Sequence, residues 1–126
     1  MISNILGIHH CSVIIEDVDT ALHFYVDILG LTKIQDRPDL GYPGAWLEAG
    51  VQQIHLLQLE NPDPVEGRPR HGGRDRHVAL AVSSLDKIIA SLEAEGLDYT
   101  LSRSGRRALF CRDPDNNAVE IVEQAD

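Results

Sequence analysis

The strongest constraint on the fold is an internal repeat. Four pairs of residues keep an offset of 65 to 67 positions along the chain: His10 with His77, Asp19 with Asp86, Gly30 with Gly96, and His55 with Glu120. A nearly constant offset of this size indicates a duplicated supersecondary unit. Since the whole chain has 126 residues, too few for two independent cores, we expect one domain built from two similar modules.

The first module is predicted to span about residues 5–60. Its opening run, residues 7–15, is rich in β-branched side chains and predicts a buried strand. Residues 18–30 carry apolar side chains at helical spacing and end at a glycine, which predicts an amphipathic helix. Three short strands follow, separated by turn residues, over residues 31–36, 45–49 and 51–59. The order of elements is therefore βαβββ.

The same order restarts after a linker rich in proline and glycine at about residues 61–75. The second module, about residues 76–124, opens with a predicted strand over 76–82 and a helix over 85–95 that Ser84 caps. Its remaining strands are predicted over residues 97–102, 107–111 and 118–123. We therefore predict an α+β fold in which two tandem βαβββ modules form a curved mixed sheet around a metal-containing cavity.

The charge and the hydropathy of the chain limit the kinds of partner that it can bind. The formal charge of −9 argues against a nucleic-acid partner, because binding a phosphate backbone depends on clustered basic residues. No apolar run approaches the ~20 residues of a membrane span, and the N-terminus does not resemble a signal peptide. We therefore expect a cytoplasmic protein with a small-molecule substrate. A local concentration of arginines could attract an anionic substrate, or lie in a solvated loop: Arg68, Arg70, Arg74 and Arg76.

The predicted chemistry lies on the cavity faces of the strands. Side chains alternate along a strand, so His10 shares a face with Ser12 and Ile14, and His77 shares a face with small alanines. His55 interrupts an apolar strand. Glu120 lies between Val119 and Ile121, which have the shape to pack on a helix, so its carboxylate faces the other way.

Three imidazoles and one carboxylate at repeat-related places match the ligand preferences of several divalent metals. We therefore predict that His10, His55, His77 and Glu120 bind one ion of zinc, nickel, ferrous iron, manganese or cobalt. His55 is the least certain ligand, since two histidines and one carboxylate suffice for a site. A register slip of one residue would exchange His10 for His9. His23 and His71 are interpreted as solvated residues.

The same segments resemble the vicinal oxygen chelate superfamily, the group of glyoxalase I, bleomycin-resistance proteins and extradiol dioxygenases. The resemblance covers nearly the whole chain and is carried by four segments: IHH at 8–10, FYVDILGL at 24–31, HVALAV at 77–82 and DPDNNAVEI at 113–121. It implies that the positions of His10, His77 and Glu120 are metal ligands and that the substrate chelates the metal through vicinal oxygens. It also implies a homodimer, with the site either within one chain or shared between two.

Departures from the family separate the candidate activities. Bacterial glyoxalase I has an arginine at the position of Ile14 and a glutamate at that of His55, so glutathione is not the expected substrate. The leading prediction is a lyase- or isomerase-like metalloenzyme in which Glu120 or a bound water moves the proton. Two rivals remain, a ferrous-iron dioxygenase and a non-catalytic binding protein of the bleomycin-resistance type.

Overall fold

The computed structural model describes residues 3–125, and it contains two modules of four strands each. The strands of the first module are β1 His10–Ile15, β2 Thr32–Lys33, β3 Gly44–Ala49 and β4 Gln52–Gln58. Those of the second are β5 His77–Val82, β6 Thr100–Leu101, β7 Ala108–Arg112 and β8 Ala118–Glu123. The helices are α1 Val18–Leu22, which continues as a π-helical segment His23–Ile28, and α2 Leu85–Ala94. A single 3₁₀ turn, Gly72–Arg74, interrupts the connection between β4 and β5.

The two sheets have the same topology. Their strand orders are β1-β4-β3-β2 and β5-β8-β7-β6, and in each the first strand runs parallel to the last while the other pairings are antiparallel. Parallel pairing requires a crossover, which the helix of each module provides. The prediction of two tandem βαβββ modules in an α+β fold is therefore confirmed.

The registers relate the modules residue by residue. In module one, Ser12 lies opposite His55, and His55 lies opposite Trp46. In module two, Ala79 lies opposite Glu120, and Glu120 lies opposite Phe110. The sequence offset thus corresponds to structural equivalence, in which three pairs of positions match: His10 with His77, His55 with Glu120, and Trp46 with Phe110.

Alternation places the core and the site on opposite faces of each sheet. In β4, Ile54 and Leu56 are buried in the core, which they share with Phe24 and Tyr25 of the first helix. Their strand neighbour His55 faces the other way. Since residues of both modules belong to one continuous hydrophobic cluster, the modules pack together rather than fold independently.

The first helix differs from its prediction. The residues expected to form one α-helix over 18–30 form a short α-helix, capped by the Asp17 side chain on Thr20 N, and then a wider π-helical turn. Phe24, Tyr25 and Ile28 of the π turn are buried, so this segment supplies the apolar face that the predicted helix was expected to provide. In residues 3–125 no helix has both the length and the apolarity to cross a membrane.

Candidate metal centre

Aromatic rings stack on the site face of module one. The His55 imidazole lies between the His10 imidazole, with ring centroids 3.9 Å apart, and the Trp46 indole, with centroids 4.5 Å apart. Both contacts are nearly parallel. Nε2 of His55 lies 2.8 Å from Oε1 of Gln53, two residues earlier on the same face. The stack contacts both faces of the His55 ring, whereas His10 is exposed at the start of β1.

His55 is held in its neutral form. Burial lowers the pKa of its imidazole, and the nearby His10, His9 and Arg37 lower the pKa further. Desolvation and positive neighbours both disfavour the imidazolium. A neutral imidazole is the form that binds metals, so His55 would not have to lose a proton to act as the predicted ligand.

On the site face of module two, the side chains of His77 and Glu120 contact each other across neighbouring strands. Nδ1 of His77 donates to the Asp75 carbonyl oxygen at 2.8 Å, which in a neutral ring leaves Nε2 as a lone-pair acceptor. That nitrogen lies 3.2 Å from Oε1 of Glu120. A proton or a metal ion between these two atoms would join them, and an imidazole with a carboxylate is a donor pair that divalent metals bind.

Glu120 is a buried carboxylate. Its residue is only 4% exposed, on the inward face of β8 beside apolar neighbours. Besides the His77 contact, its other oxygen, Oε2, accepts a hydrogen bond from the Arg106 guanidinium at 3.1 Å. A buried charge requires such partners, and Arg106 reaches it from the loop between β6 and β7.

The four predicted ligands form two pairs. His10 and His55 meet in module one, and His77 and Glu120 meet in module two. Within residues 3–125 no group of three or more histidine, cysteine, aspartate or glutamate side chains is close enough to hold a metal ion. The prediction that all four bind one ion therefore stays a prediction.

The separation of the pairs follows from how the modules pack. The Asn117 side chain donates to the carbonyl oxygen of Ile14 at 3.0 Å, so the end of β1 lies beside the start of β8, where Ala118 pairs with His77. His10 lies four residues back along β1, a distance of about 13 Å at the usual rise of a strand. A cavity of about 280 Å³ between β1 and β5 is accordingly lined by His77 but not by His10.

Three residues near these pairs had no signal in the sequence pattern. Arg37 and Arg106 lie in loops between strands, and Asp75 lies two residues before the start of β5. Asp75 is buried at the carboxylate and pairs with Arg112 at 2.9 Å and Arg68 at 3.5 Å. Loop side chains follow no periodicity, so only the repeated position of the loops would have suggested them.

The arginine-rich segment is partly neutralised. Arg68 pairs with Asp75, and Arg76 pairs with Asp63 at 3.0 Å. These pairs favour a structural loop over an anion-binding surface. His71, interpreted from sequence as solvated, is half-buried instead: its Nδ1 lies 2.7 Å from the Thr100 hydroxyl.

His9 and His23 lie outside the two pairs. The His9 side chain is exposed rather than packed, and its Nδ1 lies 2.9 Å from Nδ1 of His10. His23 is exposed, as interpreted, and contacts Asp27 and Glu95.

Comparisons with known proteins identify the family. The model of the glyoxalase/bleomycin resistance protein/dioxygenase superfamily matches residues 7–121. The chain is 32% identical to YwkD, an uncharacterised protein of Bacillus subtilis, over 94% of this chain and 97% of that protein. It is 29% identical to glyoxylase I 4 of Arabidopsis thaliana, over 94% of this chain and 71% of that protein.

A solved structure agrees with these relatives. A glyoxalase family protein from Bacillus anthracis superposes with a TM-score of 0.81 at 25% identity, covering 98% of this chain and 99% of that one. The family model, the relatives and the paired modules lead to one conclusion: this chain belongs to the glyoxalase/bleomycin resistance protein/dioxygenase superfamily.

Proposed function

We propose that this protein is a metal-dependent lyase or isomerase whose metal site is shared between two chains. His10 and His55 of one copy and His77 and Glu120 of a second copy would hold one divalent ion. Two copies related by a twofold axis would form two such sites, because a symmetric interface brings together each pair with its complement. The proposal accounts for ligand pairs that are equivalent by repeat yet separated within one chain.

The observation that carries the proposal is the contact between His77 and Glu120. The Asp75 carbonyl accepts from Nδ1 of His77, and the other ring nitrogen, Nε2, lies 3.2 Å from a carboxylate oxygen of Glu120. A carbonyl that orients a histidine through its other nitrogen is a common arrangement around metal ligands. On the other module, His10 needs only a side-chain rotation, because its ring currently stacks on His55 instead of converging with it.

The chemistry proposed is proton movement next to a polarised oxygen. A divalent ion would act as a Lewis acid on substrate oxygens. Glu120 would accept or return the proton through the oxygen that Arg106 now occupies, since a ligand carboxylate keeps one oxygen available. Trp46 and Phe110 would form apolar walls on the two sides, which limits the access of water to the site.

Metal content per chain tests the ligand assignment. Purified wild-type protein, His77→Ala and Glu120→Ala would be loaded with zinc, nickel, cobalt, manganese or anaerobic ferrous iron and measured by mass spectrometry. We expect one ion per chain in the wild type and none in either variant, with His9→Ala as the matched control that retains the ion. A wild type that binds no metal would refute the proposal.

A mixing experiment tests the sharing between chains. His10→Ala and Glu120→Ala would be unfolded together at equal amounts and refolded. In a mixed dimer one site carries both lesions and the other is intact, so random pairing restores about one quarter of the wild-type metal content. Sites confined to one chain would give no recovery.

Two other candidate functions, a ferrous-iron dioxygenase and a non-catalytic binding protein, predict different experimental results. A ferrous-iron dioxygenase would use His10, His77 and Glu120 as two histidines and one carboxylate, and it predicts oxygen consumption by the iron-loaded protein with a catechol. A non-catalytic binder is favoured by one observation, the parallel stack of His10, His55 and Trp46, which presents a surface for a planar ligand. It predicts ligand affinity that is unchanged by removing metal.

A further inference from the structure

We infer that Arg37 and Arg106 form a pair of anion-binding residues, so that the substrate is a small acid carrying a carboxylate besides its metal-chelating oxygens. The inference rests on the proposed function, because it places the two arginines on either side of the proposed shared site. It concerns residues outside the predicted ligand set, in loops that no sequence pattern distinguishes.

Arg106 is an exposed cation that contacts the buried carboxylate. Its side chain is 61% exposed, and its guanidinium contacts Oε2 of Glu120 at 3.1 Å and the Ser104 hydroxyl at 3.2 Å. A metal ion bound to Glu120 would neutralise the carboxylate in its place. Because an exposed arginine gains little from one ion pair, Arg106 would then be available to a substrate anion at small cost.

Arg37 has an unused donor beside the site face of module one. Its Nε is buried and has no hydrogen-bond partner among residues 3–125, although its Nη2 donates to the Tyr42 carbonyl at 3.1 Å and its guanidinium lies over the Tyr42 ring. A buried donor without an acceptor is costly. An oxygen of a bound carboxylate would satisfy it.

Gly44 places Arg37 on this face. Gly44 occupies the same face of β3 as Trp46, and a Cβ at this position would lie 2.9 Å from Nη2 of Arg37. The absence of a side chain therefore leaves room for the guanidinium.

The two arginines lie in equivalent loops of the repeat, although not at equivalent positions. Arg37 lies in the loop between β2 and β3, near His55, and Arg106 lies in the loop between β6 and β7, near Glu120. In the proposed shared site, Arg37 comes from one copy and Arg106 from the other. They would flank the ion and give the site local positive charge in a chain whose net charge is −9. Arginine suits a carboxylate ligand because its planar guanidinium can donate two parallel hydrogen bonds.

Two matched chelators test the inference. Acetohydroxamate and succinic monohydroxamate offer the same pair of vicinal oxygens, but only the second carries a carboxylate. Binding to the metal-loaded protein would be followed by the fluorescence of Trp46, the single tryptophan, and by calorimetry. We expect the wild type to prefer the carboxylated probe by about tenfold or more, as for a charge-assisted hydrogen bond.

Variants assign that preference to the arginines. Arg106→Gln and Arg37→Lys should each lose most of the preference, the second because lysine keeps the charge but lacks the Nε donor. Arg103→Gln, an exposed change in the same loop as Arg106, should retain it. Equal binding of both probes, or an unaltered preference in Arg106→Gln and Arg37→Lys, would overturn the inference while leaving the metal site intact.

Failure of the metal site itself would be recognised separately. If no metal binds, succinate would be titrated into Glu120→Gln protein, in which Arg106 is released from its carboxylate partner. Binding that Arg37→Lys abolishes would sustain the anion site without the metal. An absence of succinate binding would reject it.

Discussion

The Tyr25 hydroxyl donates a 2.7 Å hydrogen bond to Oδ2 of Asp113, 88 residues further along the chain. Both side chains are buried. Asp113 also accepts from the backbone N–H groups of Asp115 and Asn117, each at 2.9 Å. The bond therefore joins the first helix of module one to the turn between β7 and β8 of module two, next to the contact that brings Asn117 to the end of β1.

Tyr25→Phe should destabilise the protein by about 1–3 kcal/mol, because it leaves a buried carboxylate with one donor fewer. Tyr99→Phe is the matched control. It removes a hydrogen bond to the exposed Glu93 and should change stability by less than about 0.5 kcal/mol. Urea unfolding measures both, and equal effects of the two variants would contradict the role assigned to the buried pair.

The fold was predictable from the sequence because its internal repeat and the alternation of side chains along its strands are both periodic patterns. The offset of 67 positions between His10 and His77 corresponds to equivalent strands, and alternation correctly predicted that Val119 and Ile121 pack in the core. The arrangement of the modules was not predictable. It depends on contacts such as that of Asn117 with Ile14, whose partners lie 103 residues apart and follow no period. The distance between the His10–His55 pair and the His77–Glu120 pair could therefore not be predicted from the sequence.

The two thiols should differ in reactivity. Burial, with the Asp113 charge as the lesser cause, raises the pKa of Cys111 to about 12, whereas Cys11 is half-buried with a pKa raised by burial. Since the thiolate is the reactive form, Ellman's reagent at pH 8 should modify at most one thiol slowly in the native protein and two in urea. Native Cys11→Ser protein should give none. Rapid modification of that variant would show that Cys111 is accessible.

A pH-dependent contact should join the two helices. Hydrogen bonds to Asp27, and then to Glu95, raise the pKa of the exposed His23 imidazole. A raised pKa means that the imidazolium is the form favoured by folding, so the contact is fully formed below the unfolded pKa of about 6.5 and is lost as pH rises through the folded pKa. An NMR titration should show a lower His23 pKa in Asp27→Asn and an unchanged pKa in Asp19→Asn. Equal shifts in both variants would refute a specific contact.

Gly44→Ala should disrupt the start of β3, beside which the Arg37 guanidinium lies. The added Cβ would overlap the Leu56 carbonyl oxygen of β4, and a backbone atom cannot move aside without shifting the strand, so we expect a loss of about 1–3 kcal/mol. Gly50→Ala, in the turn between β3 and β4, is the control. Its Cβ would meet nothing within 4 Å, although its φ of +64° imposes backbone strain.

Hydrogen exchange distinguishes the steric overlap expected in Gly44→Ala from the backbone strain expected in Gly50→Ala. The Gln58 amide donates to the Pro43 carbonyl at 3.0 Å, beside the overlap that alanine at position 44 creates. Its protection should fall by more than the global stability accounts for in Gly44→Ala, because the strand separates locally there. In Gly50→Ala the protection should follow global stability alone. If the protection of the Gln58 amide follows global stability in both variants, the close approach of β3 and β4 does not exclude a side chain at position 44. The space that the Arg37 guanidinium occupies would then have another origin.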